Sequence, residues 1–506
     1  MFSMLSPIQA FIFLTSLITA LIVCLFGLNT YVLLYFSRKH GKNSYEATVN
    51  VEEWPFVTVQ IATFNEKNVI KRTLENCINL DYPPDKLEIV IVDDSTDETT
   101  ELLKEFETLH YPRIKVIHRL KREGYKAGAL NEALKNSKGE FLLILDADTL
   151  PDRKFLKETI PYFFKDKKLG FVQGKIEYVN VESSWLAKSL SLANDWFVSF
   201  SQPALSKGEM FLCFVGHGGV FRRTAIEEAG GWESNTVSED MDLSHRIQIK
   251  GWKALFTEKA KSKEETPPSF QAAITRYNRH IKGPIQNLWK HGSVLLREKG
   301  ISTLKKSEAL IQMAYPLSYL LGLLCVFFSV LTHLFVPNNF SDSFWFSPLG
   351  VMFSIFMLAT FPYVSSMVSP CLSLILILVL SPVFVFWAIK KGKNKASLNL
   401  RSLLGVFLIW NDNMLTGTKA IVELLVKKEI TWIPTPKIGD GTRTYVASKK
   451  TEKNKIYEAL LRIASSISII FSFIIILLKN FSFNAVGMLI PATLWLISAY
   501  LILNSE

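Results

Sequence analysis

Asp146 and Asp148 are carboxylates two positions apart that directly follow an apolar run, a spacing that lets both side chains share one divalent cation. Carboxylate oxygens are hard ligands, so the pair favours Mg²⁺ or Mn²⁺, with the phosphates of a substrate completing the coordination shell. An isolated pair of this kind is more often a solvated turn after a strand. The functional interpretation therefore depends on what else lies near the pair.

A second acidic pair, Glu239 and Asp240, precedes a predicted helix, where acidic residues commonly act only as caps. The functional alternative is a general base, because a hydroxyl that attacks an electrophilic carbon must lose its proton to an acceptor within hydrogen-bond reach. Asp240 is our candidate for that base. Glu239 is the adjacent catalytic candidate.

Three cationic positions are candidates for contacting a diphosphate. Lys126 opens a predicted helix among small residues, where backbone N–H groups and a cation suit a phosphate, although close helix packing explains the small residues equally well. Arg276 and Arg279 lie in a basic stretch ahead of a membrane segment, and such residues commonly contact lipid headgroups. The planar guanidinium is alternatively suited to hold a departing diphosphate.

Two further polar clusters follow apolar runs. Asp93 and Asp94 offer carboxylates that accept from a base ring N–H or a ribose hydroxyl. Thr63, Asn65 and Glu66 end an earlier run and are further candidates for ligand contacts. Both clusters also fit the pattern of a cap for the next helix, and acidic turns without other context are more often caps.

The elements that must position these residues are strands and helices in alternation between Pro55 and about Tyr178. Runs that are apolar at nearly every position are typical of parallel strands covered on both faces. The sequence therefore predicts an α/β fold with a mostly parallel sheet, in which ligands bind at the carboxyl ends of the strands. Three predicted strands end in the polar clusters above, so one shared site is expected. The predicted strands are Val57–Ala62, Leu87–Val92, Ile114–Ile117, Phe141–Leu145 and Leu169–Gln173.

The chain is 506 residues long and 49% apolar, and its longest apolar runs lie towards the two ends. Pro7 to Phe36 is uncharged and long enough to cross a bilayer. No Lys or Arg precedes this run, and it is about twice as long as the apolar region of a signal peptide, so we expect it to remain attached. Arg38, Lys39 and Lys42 follow it, and the positive-inside rule places the next domain in the cytoplasm.

Further crossings are predicted in the carboxyl-terminal third. Leu398 to Leu425 is ambiguous, since its first half is apolar enough to enter the bilayer while its second half, with Asp412 and Lys419, suits an interface helix. If every run before it crosses, the lysines between residues 390 and 395 lie outside, against the positive-inside rule, so the topology stays open. The predicted crossings are Ala309–Phe335, Phe346–Val368, Cys371–Ile389, Ile456–Leu478 and Ala485–Leu503.

A net charge of +11 raises the question of a nucleic-acid partner. The lysines concentrate beside membrane segments and in short surface runs, without a basic stripe interleaved with stacking aromatic residues. The sequence therefore predicts no nucleic-acid partner, and membrane lipids are the expected contact. The five cysteines lack the spacing of a metal site or a disulfide framework and are expected to be reduced, structural thiols.

With these motifs assembled, the chain resembles the processive family-2 glycosyltransferases, which include the cellulose, mannan, chitin and hyaluronan synthases. The resemblance covers nearly the whole chain. It implies a GT-A catalytic domain in which Asp93 or Asp94 contacts the nucleotide and Asp148 leads metal binding. It also implies inverting transfer with Asp240 as the base. The matching segments are Val59–Glu66, Asp93–Asp94, Lys126–Asn131, Asp146–Asp148, Gly218–Arg223, Gly230–Trp232 and Glu239–Asp240.

The resemblance extends to segments that contact the acceptor in this family. Gly218 and Gly219 lie in a segment that lines the acceptor entrance. Thr435 to Lys437 resembles a gating loop, in which Pro434 replaces the arginine of the family.

The chain departs from the family at the Q-x-x-R-W motif, which here reads Arg276-Tyr277-Asn278-Arg279-His280. Arg279 keeps the central arginine, and Arg276 resembles the first position of the ceramide glucosyltransferase variant. His280 replaces the tryptophan that lies over the acceptor sugar and offers less area for stacking.

On this resemblance we expect a membrane-bound enzyme that transfers a hexose from a UDP- or GDP-hexose to a growing β-linked polysaccharide and exports the product. The alternative is transfer of a single sugar to a membrane lipid acceptor, which Arg276 and His280 favour. A transporter or regulatory protein that has lost catalysis is disfavoured by the presence of Asp148, Asp240 and Arg279.

The expected domain organisation follows from the same resemblance. It comprises a transmembrane helix at residues 1–40, a GT-A domain at 50–300, transmembrane helices at 305–395, a transmembrane or interface helix with the gating-like loop at 398–450, and a pair of transmembrane helices at 455–504.

Overall fold

The computed structural model describes residues 5–38, 51–337, 400–426, 449–479 and 489–504. Each of the five predicted strands begins at the predicted residue and extends beyond the predicted end. Three further strands complete the sheet. The strands are β1 (Val57–Thr63), β2 (Leu87–Asp93), β3 (Ile114–His118), β4 (Phe141–Asp146), β5 (Leu150–Pro151), β6 (Leu169–Tyr178), β7 (Gly219–Arg222) and β8 (Lys253–Glu264).

The eight strands form one mixed sheet in the order β3-β2-β1-β4-β7-β6-β8-β5. Parallel pairing joins β3, β2, β1 and β4, and it joins β6 to β8. β7 is antiparallel to both of its neighbours, and β5 is antiparallel to β8. The predicted α/β fold with a mostly parallel sheet is thus confirmed. The apolar runs of β1, β2 and β4 form central strands because packed helices bury both of their faces.

Apolar periodicity does not reveal β7 and β8. β7 has only four residues, and β8 carries charged side chains along much of its length. These segments become strands through pairing with β4 and β6, which are distant from them in the sequence. Pairing of this kind depends on tertiary context more than on intrinsic propensity.

Helices cover both faces of the sheet and continue into an apolar bundle. On one face α2 (Ile70–Ile78) and α5 (Phe155–Lys165) pack against β1 and β4. On the other face lie α4 (Tyr125–Asn136), α8 (Arg223–Glu228), α9 (Glu239–Ile249) and the end of α1 (Pro7–Arg38). The helices are α1 (Pro7–Arg38), α2 (Ile70–Ile78), α3 (Thr99–His110), α4 (Tyr125–Asn136), α5 (Phe155–Lys165), α6 (Trp185–Trp196), α7 (Gln202–Lys207), α8 (Arg223–Glu228), α9 (Glu239–Ile249), α10 (Phe270–Arg297), α11 (Thr303–Ala314), α12 (Leu317–Phe335), α13 (Leu400–Leu425), α14 (Lys449–Lys479) and α15 (Leu489–Leu503).

The three predicted polar strand ends meet at one edge of the sheet. The register pairs Thr63 with Asp93 across β1 and β2, and Ala62 with Asp146 across β1 and β4. His118, at the end of β3, is aligned with Asp93 on the other side. The carboxyl ends of β1, β2 and β4 therefore deliver the predicted polar residues to a common region, and β3 adds His118 beside them.

Three of the described helices are long and apolar enough to cross a membrane: α1, α12 and residues Asn454–Leu478 of α14. α15 is apolar but shorter. The predicted crossings Phe346–Val368 and Cys371–Ile389, and the gating-like loop at Thr435 to Lys437, lie outside the described residues.

The predicted crossing Ala309–Phe335 is divided between two helices. α11 ends at Ala314 and α12 begins at Leu317, with Tyr315 and Pro316 between them. Proline lacks an N–H for the helical ladder and its ring clashes with the preceding turn, which explains the interruption. The apolar span is therefore α12 alone, and Ala309 is buried on a separate helix.

Two acidic side chains of α13 point into the protein. Asp412 accepts from Arg462 of α14 at 2.6 Å, and Glu423 accepts from Lys282 of α10 at 2.5 Å. Both groups therefore have ionic partners within the chain. Through these contacts α13 joins the helix that follows the sheet to the apolar bundle.

Candidate active site

A cavity of about 470 Å³ lies at the carboxyl edge of the sheet, between the strand ends, α9, α10 and the beginning of α12. It brings together most of the residues that the sequence identified as site candidates. The candidates that line it are Thr63, Glu66, Asp94, Lys126, Asp146, Asp148, Glu239, Asp240, Arg276, Arg279 and His280. Asn65, Asp93, Gly218 and Gly219 do not line the cavity, and their positions are described below.

Lys126 lies at the centre of the charged part of the cavity. Its Nζ donates to Asp146 Oδ1 at 2.6 Å and to the carbonyl oxygen of Gly216 at 2.8 Å, and it is 3.9 Å from Glu239 Oε1. Burial acts to lower the pKa of Lys126, but the carboxylates of Asp146 and Glu239 outweigh burial and raise it above the usual value. Lys126 is therefore a fixed, protonated cation in the cavity wall.

Glu239 and Asp240 form the first turn of α9 and are both directed to this cation. Burial raises the pKa of both carboxyl groups above the usual range, while Lys126 acts in the opposite direction. Charge repulsion raises the two pKa values further: Asp240 acts on Glu239, and Asp146 acts on Asp240. A carboxylate with a raised pKa accepts a proton more readily, which is the property required of a general base.

The position of Asp240 depends on the glycine opposite. Gly216 has a φ of +93°, and a Cβ placed there would lie 3.1 Å from Asp240 Oδ2. Asp240 Oδ1 accepts from the backbone N–H of Met241 at 2.7 Å. One carboxylate oxygen is thus held by the helix, and the other is directed to the Gly216 side of the cavity.

Asp146 and Asp148 fit the chemistry of a divalent cation bound together with phosphates. Both carboxylates line the cavity, and Asp148 is 1% exposed. Within the described residues there is no group of three His, Cys, Asp or Glu side chains that could hold a metal ion. Two carboxylates are nevertheless the protein ligands that Mg²⁺ commonly uses where substrate phosphates supply the rest.

The two adjacent aspartates at the end of β2 have different environments. Asp93 is fully buried and accepts from the backbone N–H of Ser95 at 2.9 Å and from Thr100 Oγ1 at 2.6 Å, so it organises the turn into α3. Asp94 lines the cavity and is held by Arg119 through two bonds of 2.7 and 2.6 Å. Of the two candidates, Asp94 is the one placed to contact a ligand.

Asn65 has a bridging position between two strand ends. Its φ is +57°, its backbone N–H donates to Ser95 Oγ at 2.8 Å, and its Oδ1 accepts from the backbone N–H of Thr96 at 2.8 Å. It therefore links the turn after β1 to the turn after β2, behind the residues that line the cavity.

α10 carries the basic motif along one wall of the cavity. Arg276 donates to Glu264 at 2.9 Å, and Glu264 is also 3.2 Å from His217 Nε2. Burial, together with the charges of Arg276 and Arg279, lowers the pKa of His280 to about 3. His280 is therefore neutral at physiological pH, and the positive charge of the motif belongs to the two arginines.

Gly218 and Gly219 lie behind the cavity wall. Gly218 has a φ of +63°, and its N–H donates to Ile144 of β4 at 2.9 Å. A Cβ at Gly219 would lie 2.6 Å from the ring of Phe214. These glycines permit close packing at the start of β7, while the two residues before them, Gly216 and His217, line the cavity.

Several residues of the site carry no recognisable signal in the sequence. Glu264 ends β8, a strand that the sequence did not reveal, and His217 precedes β7. Beyond α10 the cavity reaches Tyr315, just before α12, and Tyr319 in its first turn. The ring centroids of these two tyrosines are 6.0 Å apart at 84°. Tyr277 of α10 lines the same end. One end of the cavity is thus charged, and the other is aromatic.

The close approach of α10 to α9 depends on Gly283. A Cβ at Gly283 would lie 2.5 Å from Ser238 Cβ, immediately before Glu239. We expect Gly283→Ala to destabilise the fold by about 1–3 kcal/mol, because inserting a methyl group into a packed contact forces the backbone to shift. Thermal unfolding of the purified protein measures this effect.

Gly292→Ala is the matched control on the same helix. A Cβ there would meet Leu288 and Leu310 at 3.5 and 3.7 Å, which are ordinary contacts. Alanine favours a helix interior over glycine, so this variant should be neutral or slightly stabilised. Removing the opposing side chain in Gly283→Ala/Ser238→Gly should restore part of the lost stability. Equal behaviour of the two single variants would contradict the packing argument.

The family described as Glycosyltransferase like family 2 matches residues 55–283. Probable glucomannan 4-beta-mannosyltransferase 4 from Oryza sativa subsp. japonica is 36% identical over 264 residues, which cover 51% of this chain and 48% of that protein. Glucomannan 4-beta-mannosyltransferase 9 from Arabidopsis thaliana is 35% identical over 260 residues, which cover 50% and 49% of the two chains. The chain therefore spans about half the length of the curated relatives it matches.

Among solved structures, the fold is similar to that of the mannosyltransferase PcManGT from Pyrobaculum calidifontis in complex with GDP-Man and Mn2+. The TM-score is 0.51 at 22% identity, and the alignment covers 82% of this chain and 100% of that chain. At this level of identity the likeness shows that the two proteins share the GT-A fold.

Proposed function

From the match of residues 55–283 to the family described as Glycosyltransferase like family 2, we propose that the chain transfers a hexose from a nucleotide-sugar donor to a β-linked glycan at a membrane. The observation that carries the proposal is the cavity in which Asp240, a half-buried carboxylate of raised pKa, lies beside Lys126 and the carboxylate pair Asp146 and Asp148. Three described helices with the length and composition of membrane spans support the membrane location. We place the catalytic domain in the cytoplasm because Arg38, Lys39 and Lys42 follow the first apolar run.

The proposed reaction is a direct displacement at the anomeric carbon. A hydroxyl of the acceptor attacks this carbon and its proton passes to Asp240, while the bond from the carbon to the phosphate oxygen breaks. Lys126 and Arg279 stabilise the negative charge that develops on the departing nucleoside diphosphate. The pathway inverts the anomeric configuration and needs no covalent enzyme intermediate.

Asp146 and Asp148 are the proposed holders of Mg²⁺ or Mn²⁺. When bound, this ion would neutralise charge on the diphosphate. Asp94, held in place by Arg119, is the proposed contact for the nucleotide. Thr63 and Glu66, at the end of β1, line the same part of the cavity.

The aromatic end of the cavity is the proposed acceptor side. Tyr277, Tyr315 and Tyr319 provide flat apolar surface next to α12, a candidate membrane span. His280 lies among them as a neutral ring. This arrangement suits a glycan that leaves towards the membrane, and it also suits an acceptor whose other end is a lipid.

The test is to supply the membrane-embedded full chain with a panel of radiolabelled UDP- and GDP-hexoses, with and without a chelator, and to size the product. GDP-mannose is the first donor to test, because the matched plant relatives are named mannosyltransferases and the archaeal structure holds GDP-Man. A long polymer supports polysaccharide synthesis. A single-sugar lipid selects the glycolipid alternative, and no transfer from any donor contradicts the proposal.

The rate of transfer should depend on pH through the carboxyl group of Asp240. The base must be ionised to accept a proton, so activity falls as the pH drops through its pKa. Because burial raises that pKa, the acidic limb of the kcat profile should lie above about 3.9, the ordinary value for aspartate. A limb at the ordinary value, measured with full recovery of activity on return to neutral pH, would contradict this assignment.

A further inference from the structure

His217 is held in one orientation by the backbone on both sides of it. It lies between Gly216 and Gly218, whose φ angles of +93° and +63° are accessible to few residues other than glycine. Its carbonyl oxygen accepts from Gln173 Nε2 at 3.2 Å. His217 lines the cavity, although it is only 3% exposed.

One nitrogen of the His217 ring is committed to an ion pair. Nε2 is 3.2 Å from Glu264 Oε2, and the other oxygen of Glu264 accepts from Arg276 at 2.9 Å. Burial opposes ionisation of Glu264, but Arg276 and His217 outweigh it and hold its pKa well below the usual range. Glu264 is therefore an acceptor, and Nε2 carries a proton.

The other nitrogen, Nδ1, is buried and has no hydrogen-bond partner among the residues that the structure describes. Buried polar atoms in folded proteins are almost always paired, so an unpaired one in the wall of a binding cavity calls for a partner from the ligand. Asp146 and Asp148 line the same cavity as His217, which places His217 in the part of the cavity proposed for the diphosphate and donor sugar.

We propose that His217 Nδ1 hydrogen-bonds a hydroxyl group of the donor hexose and so contributes to the choice of sugar. A hydroxyl suits this position because it can donate to a neutral Nδ1 or accept from a protonated one. Glu264 and Arg276 are positioning residues that fix the ring from behind. The inference rests on the proposed transfer from a nucleotide sugar.

The experiment compares kcat/KM for the full donor with that for each monodeoxy analogue, using the full chain in membranes. A site built to bind a hydroxyl rejects the analogue that lacks it by about 10⁴-fold. Wild type should show such rejection for one monodeoxy donor. The amide of His217→Gln replaces Nε2 but not Nδ1. This variant should have a lower kcat/KM for the full donor, and its kcat/KM for that monodeoxy analogue should be about the same as for the full donor.

His217→Asn should be compared with His217→Gln, because the amide of asparagine replaces Nδ1 but does not reach Glu264. If Nδ1 recognises the hydroxyl, His217→Asn should keep more of the discrimination than His217→Gln; the opposite order would indicate that His217 only positions Glu264. His245→Gln is the matched control, since His245 is equally buried but does not line the cavity. Its discrimination should equal that of wild type.

Other outcomes overturn the inference. Unchanged discrimination among donors in His217→Gln would remove His217 from sugar recognition while leaving the proposed transfer intact. Loss of discrimination only among deoxygenated acceptors would place the hydroxyl on the acceptor instead of the donor. If wild type neither binds nor transfers any nucleotide sugar, the proposed function fails, and this inference fails with it.

Discussion

Asp240→Asn is expected to lower the rate of sugar transfer by about 10²- to 10⁴-fold, the usual contribution of a general base. The amide keeps the size of the side chain but does not accept a proton from the attacking hydroxyl. Donor binding should persist, because Lys126, Asp146 and Asp94 remain in place. Single-turnover kinetics and equilibrium binding of the nucleotide sugar separate the two effects.

The stability of the same variant provides an internal check. The pKa of Asp240 is higher in the folded protein than in the unfolded protein. Protonation of this carboxyl group therefore stabilises the fold below the unfolded-state pKa, and this stabilisation is lost as the pH rises through the folded-state pKa. An uncharged asparagine avoids this loss. Asp240→Asn should therefore unfold at pH 7.5 at a temperature no lower than that of wild type, which rules out misfolding as the cause of inactivity.

Asp85→Asn is the matched control for this substitution, because Asp85 is exposed and lies outside the cavity. It makes the same chemical change and should leave transfer unaffected. Normal turnover by Asp240→Asn would remove Asp240 from the role of base, and Glu239 would then be the carboxylate to test.

Arg462→Met is expected to destabilise the protein by about 3–5 kcal/mol, the usual effect of removing one partner from a buried ion pair. Arg462 is 0% exposed and bonds both oxygens of Asp412 at 2.6 Å and Glu458 at 2.7 Å. Methionine fills similar space but leaves Asp412 as an uncompensated buried charge. Thermal unfolding in detergent measures the loss.

The double variant Arg462→Met/Asp412→Leu should recover much of this stability, because removing both charges eliminates the uncompensated group. Glu458 keeps an ionic partner in Lys419. Arg297→Met on the exposed end of α10 is the control and should be close to wild type. Wild-type stability of Arg462→Met would show that the ion pairs contribute little to the fold.

These ion pairs also connect the cavity to the apolar bundle. Lys282, three residues after Arg279 on α10, bonds Glu423 of α13, and α13 bonds Arg462 of α14 through Asp412. The helix that carries the basic motif is therefore attached to a candidate membrane span by charged contacts. A stability loss at Arg462 should be checked for its effect on transfer as well.

The sequence by itself determined five strands of the sheet and the polar residues that follow β1, β2 and β4. β1, β2 and β4 are so uniformly apolar that their burial on both faces could be predicted, and the polar residues that follow them had to meet where parallel strands end. The acidic start of α9 and the basic motif on α10 were also recognisable, because their residue types occur in the order of a known family.

Only the tertiary structure decided which of two adjacent residues lines the cavity. Asp94 rather than Asp93, and His217 rather than Gly218, line it, because turns at strand ends orient side chains through contacts with distant segments such as Arg119 and Ser262. The sequence did not identify Glu264 as a site residue, because β8 has no apolar pattern and becomes a strand by pairing with β6. Local patterns encode periodicity, whereas the direction of a single side chain depends on partners that are remote in the sequence.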